Sequence, residues 1–338
     1  MKIKETLAEL SNLRGVSGAE AEVSSYLADR LEEGRFEVRV DSIGNLLVRK
    51  GRKKGKKLML SAHMDEVGLM IMDFEKNGLL RFRAVGGIDS RILVAKRLRV
   101  GIHALPGVIG SKPIHLQKKG EQDKPFREDS LYIDCGFKNH EEAAGYLKVG
   151  EYATFDVKCA AISKNAFRGK AFDNRAGCLV LLSLLLEKNS LSFDAAFTVQ
   201  EEVGTRGAQI AAYTMEPDRA LVVESTAAAD TPETEQELSS TILGQGPAIS
   251  LMDSTVMVDR QMRNELTVAA EKAGIIYQYR RFTGAGTDGG AIAYSRSGVK
   301  TAVLSVPCRY IHSPHSVLYE SDLKSTIDLV RSWLDTQQ

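Results

Sequence analysis

Two adjacent carboxylates, Glu201 and Glu202, follow the apolar run Asp194-Ala195-Ala196-Phe197, which reads as a buried parallel strand. In open α/β sheets the reactive groups collect beyond the carboxyl ends of the strands. Two acids there are costly to desolvate unless positive charge meets them. His63 ends a second apolar run, 58–62, and Asp65 lies two residues on. Residues two apart on a strand share a face, and a metal-bound histidine gives its other ring N–H to a carboxylate in that relation. Glu224 closes a third run, 220–224, and His312 follows a fourth, 301–306. Asp173 opens the apolar helix that runs through 178–188, where it fits an N-cap and equally a functional carboxylate. Two histidines and several carboxylates on one edge of one sheet suit a pair of divalent metals. A shared carboxylate would bridge the ions, and a water between them would become a nucleophile near neutral pH.

The elements that must position these groups follow from periodicity. Residues 4–33 read as helix, Gly-Ser-Gly punctuation, then helix, with Leu7, Leu10 and Leu13 on one face and Val23, Tyr26, Leu27 and Leu31 on another. Residues 36–40 and 45–49 alternate as a hairpin pair. The basic run 49–57 reads as a solvated turn. From Gly68 to Ala161 the texture changes to short strand-like pieces at 69–74, 79–85, 97–101, 107–109, 131–134 and 152–157, with one helical stretch at 139–147. That pattern predicts a small β-barrel or sandwich inserted between His63 and Asp173. His103, His115 and His140 fall inside it without carboxylate company and read as structural; the charged stretch 118–129 reads as a mobile loop. After Ala161 the α/β texture resumes, with helices at 207–213 and 265–274, a strand at 275–280 and a terminal helix from Asp322. The glycine-rich turn 284–290 opens another helix and lacks the lysine of a phosphate-binding loop.

Composition bounds the rest. The 338 residues suffice for two domains, and 43% hydrophobic with 26% charged residues describes a globular chain with ample core. A net charge of +1 argues against nucleic acid or an anionic membrane as partner. The cysteines, Cys135, Cys159, Cys178 and Cys308, form no closely spaced pair, which fits a reducing, cytoplasmic setting. The start of the chain lacks a signal-peptide core, and the longest apolar run is too short to span a bilayer.

Taken together, residues 13–20, 62–68, 172–177, 200–204, 286–289 and 312–314 resemble the di-metal aminopeptidases of the glutamyl aminopeptidase and TET type, a family also labelled endoglucanase M or cellulase M. The resemblance covers nearly the whole chain. It implies one metal held by His63, Asp173 and Glu224 and a second held by Asp173, Glu202 and His312. Asp173 would be the bridge, Glu201 the general base, and Asp65 the catalytic-site partner of His63. It implies a mixed-sheet α/β/α metallopeptidase domain, residues 1–67 plus 162–338, with residues 68–161 as an inserted β-barrel domain for assembly, from dimers up to dodecamers. The implied cofactors are two divalent ions per subunit, zinc or cobalt first and manganese after them. The implied partners are short peptides with a free N-terminus. One departure is Glu224, where the family usually has aspartate; glutamate is a methylene longer and can still ligate. His315 competes with His312, and the match to His-Ser-Pro favours His312.

Adjacent residues on a regular strand point oppositely, so Glu201 and Glu202 can divide their roles only where the strand is turning into a loop. Three rivals stay open. A deacylase or carboxypeptidase would use the same metals with another pocket. A glycoside hydrolase needs two carboxyls about 5–9.5 Å apart and leaves His63 and His312 without a role. A non-enzymatic assembly protein would have no need of the whole constellation.

Overall fold

The computed structural model describes residues 2–32, 36–50, 57–120, 123–188, 191–232, 234, 241–281 and 283–337. The chain begins with α1 (Ile3–Asn12) and α2 (Ala21–Leu31), then the antiparallel pair β1 (Glu37–Val40) and β2 (Leu46–Lys50), then β3 (Leu58–His63). Six strands follow: β4 (Gly68–Phe74), β5 (Leu80–Val85), β6 (Arg97–Val100), β7 (Leu105–Gly110), β8 (Tyr132–Asp134) and β9 (Tyr152–Phe155), with α3 (His140–Tyr146) before the last. The chain returns through β10 (Ala160–Ala161) and β11 (Ala166–Gly169) to α4 (Phe172–Leu186), β12 (Phe193–Thr198), α5 (Arg206–Met215) and β13 (Arg219–Ala227). It ends with β14 (Ala248–Ser250), α6 (Arg260–Ala273), β15 (Gln278–Arg280), α7 (Asp288–Ala293), β16 (Lys300–Arg309), β17 (Ser316–Tyr319) and α8 (Glu320–Asp335).

Strands β4 to β9 close into a barrel in the order β4-β5-β8-β7-β6-β9. Its core is its own, built from residues such as Leu69, Ile71, Phe82, Val100 and Ile133. The remaining strands form one mixed sheet, β1-β2-β12-β3-β13-β16-β17-β11-β10, with β14 and β15 branching from β16. Its centre, β12-β3-β13-β16, is parallel. These four strands are almost wholly buried, which is why they read as unbroken apolar runs. Helix α4 is apolar on every side and is buried against α1, α8, β3 and β13. Among the described residues no helix is long and apolar enough to cross a membrane.

Parallel pairing puts the carboxyl ends of β12, β3, β13 and β16 on one edge. Thr198 pairs in register with His63, so the segments after β12 and β3 start side by side. The barrel departs after His63 and returns before Asp173, so both its connections adjoin this edge.

Several expectations need correction. Glu224 does not end its strand. β13 runs on to Ala227 because it pairs with β16 as far as Cys308, whereas its pairing with β3 stops at Val222 and Ser61. The basic run 49–57 is not simply a solvated turn: Arg49 and Lys50 lie in β2, and the Lys50 Nζ is buried and donates to the Leu184 carbonyl at 2.7 Å. Its residues 51–56, and residues 121–122 of the charged stretch 118–129, lie outside the described residues. The helix expected at 265–274 begins earlier, at Arg260, because the Asp259 side chain caps it by accepting from the Met262 N–H.

Candidate active site

His63 sits at the end of β3 with 1% of its surface exposed. Its Nδ1 lies 3.3 Å from Asp65 Oδ1 and 3.2 Å from the Asp65 carbonyl. Its Nε2 points the other way, 3.3 Å from Asp173 Oδ1, 3.4 Å from Glu224 Oε2 and 4.0 Å from Glu201 Oε2. Across Asp173 stands His312, in the turn between β16 and β17. Its Nδ1 lies 2.9 Å from the Gly87 carbonyl, and its Nε2 lies 3.4 Å from Asp173 Oδ2 and 3.2 Å from Glu202 Oε2. Among the described residues three groups could hold a metal: His63–Asp173–Glu224, Asp173–Glu202–His312, and a third, His63–Glu201–Glu202, that overlaps both. The first two share Asp173, which offers one oxygen to each.

Local structure explains how Asp173 is freed for this. The backbone departs from helical geometry at Asp173 and Asn174. It is Asn174, not Asp173, that caps the following turn, accepting from the Gly177 N–H at 3.0 Å. Asn174 Nδ2 donates to the Val223 carbonyl and to Glu224 Oε2, both at 2.8 Å, which fixes Glu224 from behind. Asp65 does more than face His63. Its Oδ1 accepts from the Glu201 N–H at 3.0 Å, and its Oδ2 accepts from the Glu202 N–H at 3.1 Å and the Ser17 hydroxyl at 2.6 Å. One carboxylate therefore orients both the histidine and the Glu-Glu loop. Beneath them lies a buried ion cluster. Lys170 Nζ donates to both Glu66 oxygens, at 2.7 and 2.9 Å, and Arg175 Nη2 stands 3.6 Å from Glu66.

The electrostatics are those of concentrated negative charge. Burial pushes Glu201 well above the usual carboxylate range, and the nearby charges of Glu224, Asp288 and Glu202 push it further. Burial likewise raises Glu202 and Glu224. Burial alone would push His63 down, but Glu224, Asp173 and Asp65 hold it well above its ordinary value. His312, also disfavoured by burial, is carried up to about 11 by Asp173 and Glu202. Asp173 is pulled down by the two histidines despite its burial.

These features fit divalent cations. Buried charges are paired or coordinate metals. Glu202 Oε1 and Glu224 Oε1 are buried and make no hydrogen bond to the protein. The imidazole and carboxylate donor set suits zinc, cobalt or manganese. The carboxylates around His63 and His312 make the cluster favour positive charge, which divalent ions would supply.

All the residues singled out in the sequence meet here: His63, Asp65, Asp173, Glu201, Glu202, Glu224 and His312. His315 does not; Arg168 donates to its Nδ1 at 3.3 Å, on the other side of the turn. His140 packs edge-on against Phe74 in the barrel. Four contributors were not singled out: Asn174, Ser17, Glu20 and Asp288. Asn174 carries no signal beyond its place after Asp173. Ser17 and Glu20 lie in the 13–20 stretch, which carries part of the family resemblance but whose periodicity reads as punctuation between helices. Asp288, in the glycine-rich turn, is fully buried and accepts from the Thr198 hydroxyl at 2.5 Å, while its Oδ1 has no hydrogen-bond partner. Burial and the charge of Glu224 push it up to about 7. A Thr-Asp pair at a helix start looks like an ordinary cap, and Thr287 is indeed the cap of α7.

Residues 44–329 match the profile of the M42 glutamyl aminopeptidase family. The chain is 30% identical over 338 residues to the glutamyl aminopeptidase of Lactococcus lactis, an alignment covering 95% of this chain and 92% of that one. Among solved structures, it resembles an aminopeptidase of the archaeon Desulfurococcus kamchatkensis with a TM-score of 0.93 and 34% identity, over 100% of this chain and 98% of the other. It resembles the TET1 peptidase of Pyrococcus horikoshii with a TM-score of 0.87 and 32% identity, over 98% of each chain. That peptidase is described as able to assemble into a tetrahedron or a large octahedral shell.

Proposed function

The chain belongs to the M42 glutamyl aminopeptidase family and is an aminopeptidase; from that premise we propose that it works with two divalent metals and releases the first residue of short peptides with a free N-terminus. The observation that carries the reading is the pair of histidine–carboxylate clusters sharing Asp173, one oxygen turned to each. His63, Asp173 and Glu224 would hold one ion; Asp173, Glu202 and His312 would hold the other. When bound, the ions would supply Lewis acidity to the scissile carbonyl and lower the pKa of an attacking water.

The chain's own groups do the rest. Glu201 stands at the edge of the cluster, 4.0 Å from His63 Nε2, on a carboxylate held well above its ordinary range. It takes the proton of the attacking water and returns it to the leaving amine. A base of that kind works best with a pKa near the operating pH. Asp65 holds the backbone of Glu201 and Glu202 so that the two side chains diverge, one to the water and one to the ion site. A free α-amine could meet carboxylate and metal contacts that an acetylated one cannot make.

The barrel is proposed as the assembly element. It exposes Met72, Ile102, Val108, Tyr146 and Val149 to solvent, and an exposed apolar surface on a small β unit tends to be covered by a partner. Closed homo-oligomers are the usual outcome.

Glu201→Gln tests the chemistry. The variant should keep its metals and lose turnover by ~10²–10⁴-fold, because an amide accepts no proton from water. Near-full activity at saturating metal would refute the role of Glu201. Equal cleavage of free and acetylated peptides by the parent would move the reading to a deacylase or endopeptidase.

A further inference from the structure

Glu201 and Glu202 lie beyond the sheet, since β12 ends at Thr198. The backbone N–H groups of Gln200, Glu201 and Glu202 donate in succession to side chains from other parts of the chain. Asp65 takes the last two. Glu20 Oε1 takes the first at 3.1 Å, and with the same oxygen takes the Gly18 N–H at 2.8 Å. The Ser17 hydroxyl braces Asp65 Oδ2 from the same segment. Ser17 and Glu20 are 5% and 6% exposed. Gln200 has φ of +56°, a left-handed conformation that a residue with a side chain keeps only where its surroundings impose it.

The segment that supplies these groups is itself pinned. Glu66 N–H donates to the Gly15 carbonyl at 2.9 Å, and Ser17 N–H donates to the Glu66 carbonyl at 3.3 Å. Glu66 Oε1 accepts from the Gly15 N–H at 3.1 Å, and Lys170 holds the same carboxylate from beneath. Gly18 has φ +89°, where a side chain would be strained, and a Cβ would lie 2.8 Å from the Tyr152 hydroxyl of β9.

We infer that Ser17 and Glu20 are positioning residues, and that residues 15–20 form a buckle holding the 200–202 loop with Glu201 turned to the water and Glu202 to the ion site. The inference rests on the proposed role of Glu201. Both buckle residues are buried, and neither belongs to the groups that could hold a metal. The carbonyls of Gln200 and Glu201 accept from the N–H groups of Arg206, Gly204 and Thr205, but the N–H groups of 200–202 depend on Glu20 and Asp65, and unpaired buried N–H groups are costly. A misplacement of about 1 Å in a reacting group can cost 10²-fold in rate.

The test compares Glu20→Ala with Glu20→Gln, whose side-chain oxygen still accepts both N–H groups, in zinc-loaded protein. Glu20→Ala should lower kcat by about tenfold or more, with KM and metal content held. Glu20→Gln should retain most of the activity. Hydrogen exchange should accelerate in peptides covering residues 199–205 and not in those covering β3 or β13. In a Glu201→Gln background, removing Glu20 should cost turnover much less than in the parent, since only Glu202 is left for it to aim. An equal loss with and without the Glu201 carboxylate, or unchanged exchange at 199–205, would overturn the inference. Should Glu20→Ala not fold, Ser17→Ala, which removes a single hydroxyl, carries the same comparison. Near-full activity of Glu201→Gln alone would refute the base, and the buckle then stands or falls on the exchange result.

Discussion

Replacing Asp65 by asparagine should damage the protein in two measurable ways. The carboxylate is fully buried, and four groups converge on it: His63 Nδ1 and the Glu201 N–H at Oδ1, the Glu202 N–H and the Ser17 hydroxyl at Oδ2. The amide has one acceptor oxygen and one donor group. With its NH₂ in place of Oδ2, the Ser17 hydroxyl can turn and accept, but the Glu202 N–H is left facing a donor. With the NH₂ in place of Oδ1, the Glu201 N–H is orphaned and His63 loses its anionic partner. Either way at least one buried backbone N–H goes unpaired, at about 1–3 kcal/mol of folding stability. The loop that carries Glu201 and Glu202 relaxes at the same point, and loss of a partner that orients a metal ligand costs about 10–100-fold in metal affinity or activity. The assays are urea unfolding, kcat/KM on an aminoacyl reporter at saturating metal, and metal content by elemental analysis. Activity within about twofold of the parent, with an unchanged urea midpoint, would refute the view that Asp65 organises the site.

Asp173→Ala should lower the occupancy of both metals and abolish activity, because one side chain serves both clusters; elemental analysis finding two ions still bound per chain would sink the bridge. His115→Ala should alter neither metal content nor rate. Lys170→Ala leaves Glu66 buried with Arg175 at 3.6 Å as its remaining cation, so chemical denaturation should report a loss of about 3–5 kcal/mol, and an unchanged midpoint would contradict the importance of that pair. Light scattering at micromolar concentration should find a particle larger than the 37.0 kDa chain, and a monomer would end the proposal that the barrel drives assembly while leaving the chemistry untouched.

Much of the architecture was legible as pattern. The four parallel strands appear as apolar runs because both their faces are covered, and the barrel appears as short pieces split by turn residues, with β6 and β7 alternating because one face is exposed. His63 and Asp65 were paired by the two-residue period of a strand, and they face each other at 3.3 Å. Strands β10, β11, β14 and β17 were missed. They are two to four residues long, too short to show a period, and exist because β16 and its neighbours offer them edges.

The sequence by itself determined which residue types stand at the ends of which runs, and so the kind of chemistry the chain could perform. It could not decide what those residues touch. Glu66 and Lys170 are 104 residues apart and bind at 2.7 Å, and Glu20 reaches Gln200 across 180. Asp173 looked like a cap until Asn174 was seen to cap in its place. Glu224 looked like a strand end, yet it faces the cluster because β3 stops pairing with β13 while β16 continues. Asp288 lies in a glycine-rich turn that opens a helix, and it is fully buried. Period and propensity act over a few residues along the chain. The direction of a side chain beyond a strand end is set by whichever donors and acceptors the folded chain brings within about 3 Å, where hydrogen bonds form, and no local pattern records that distance.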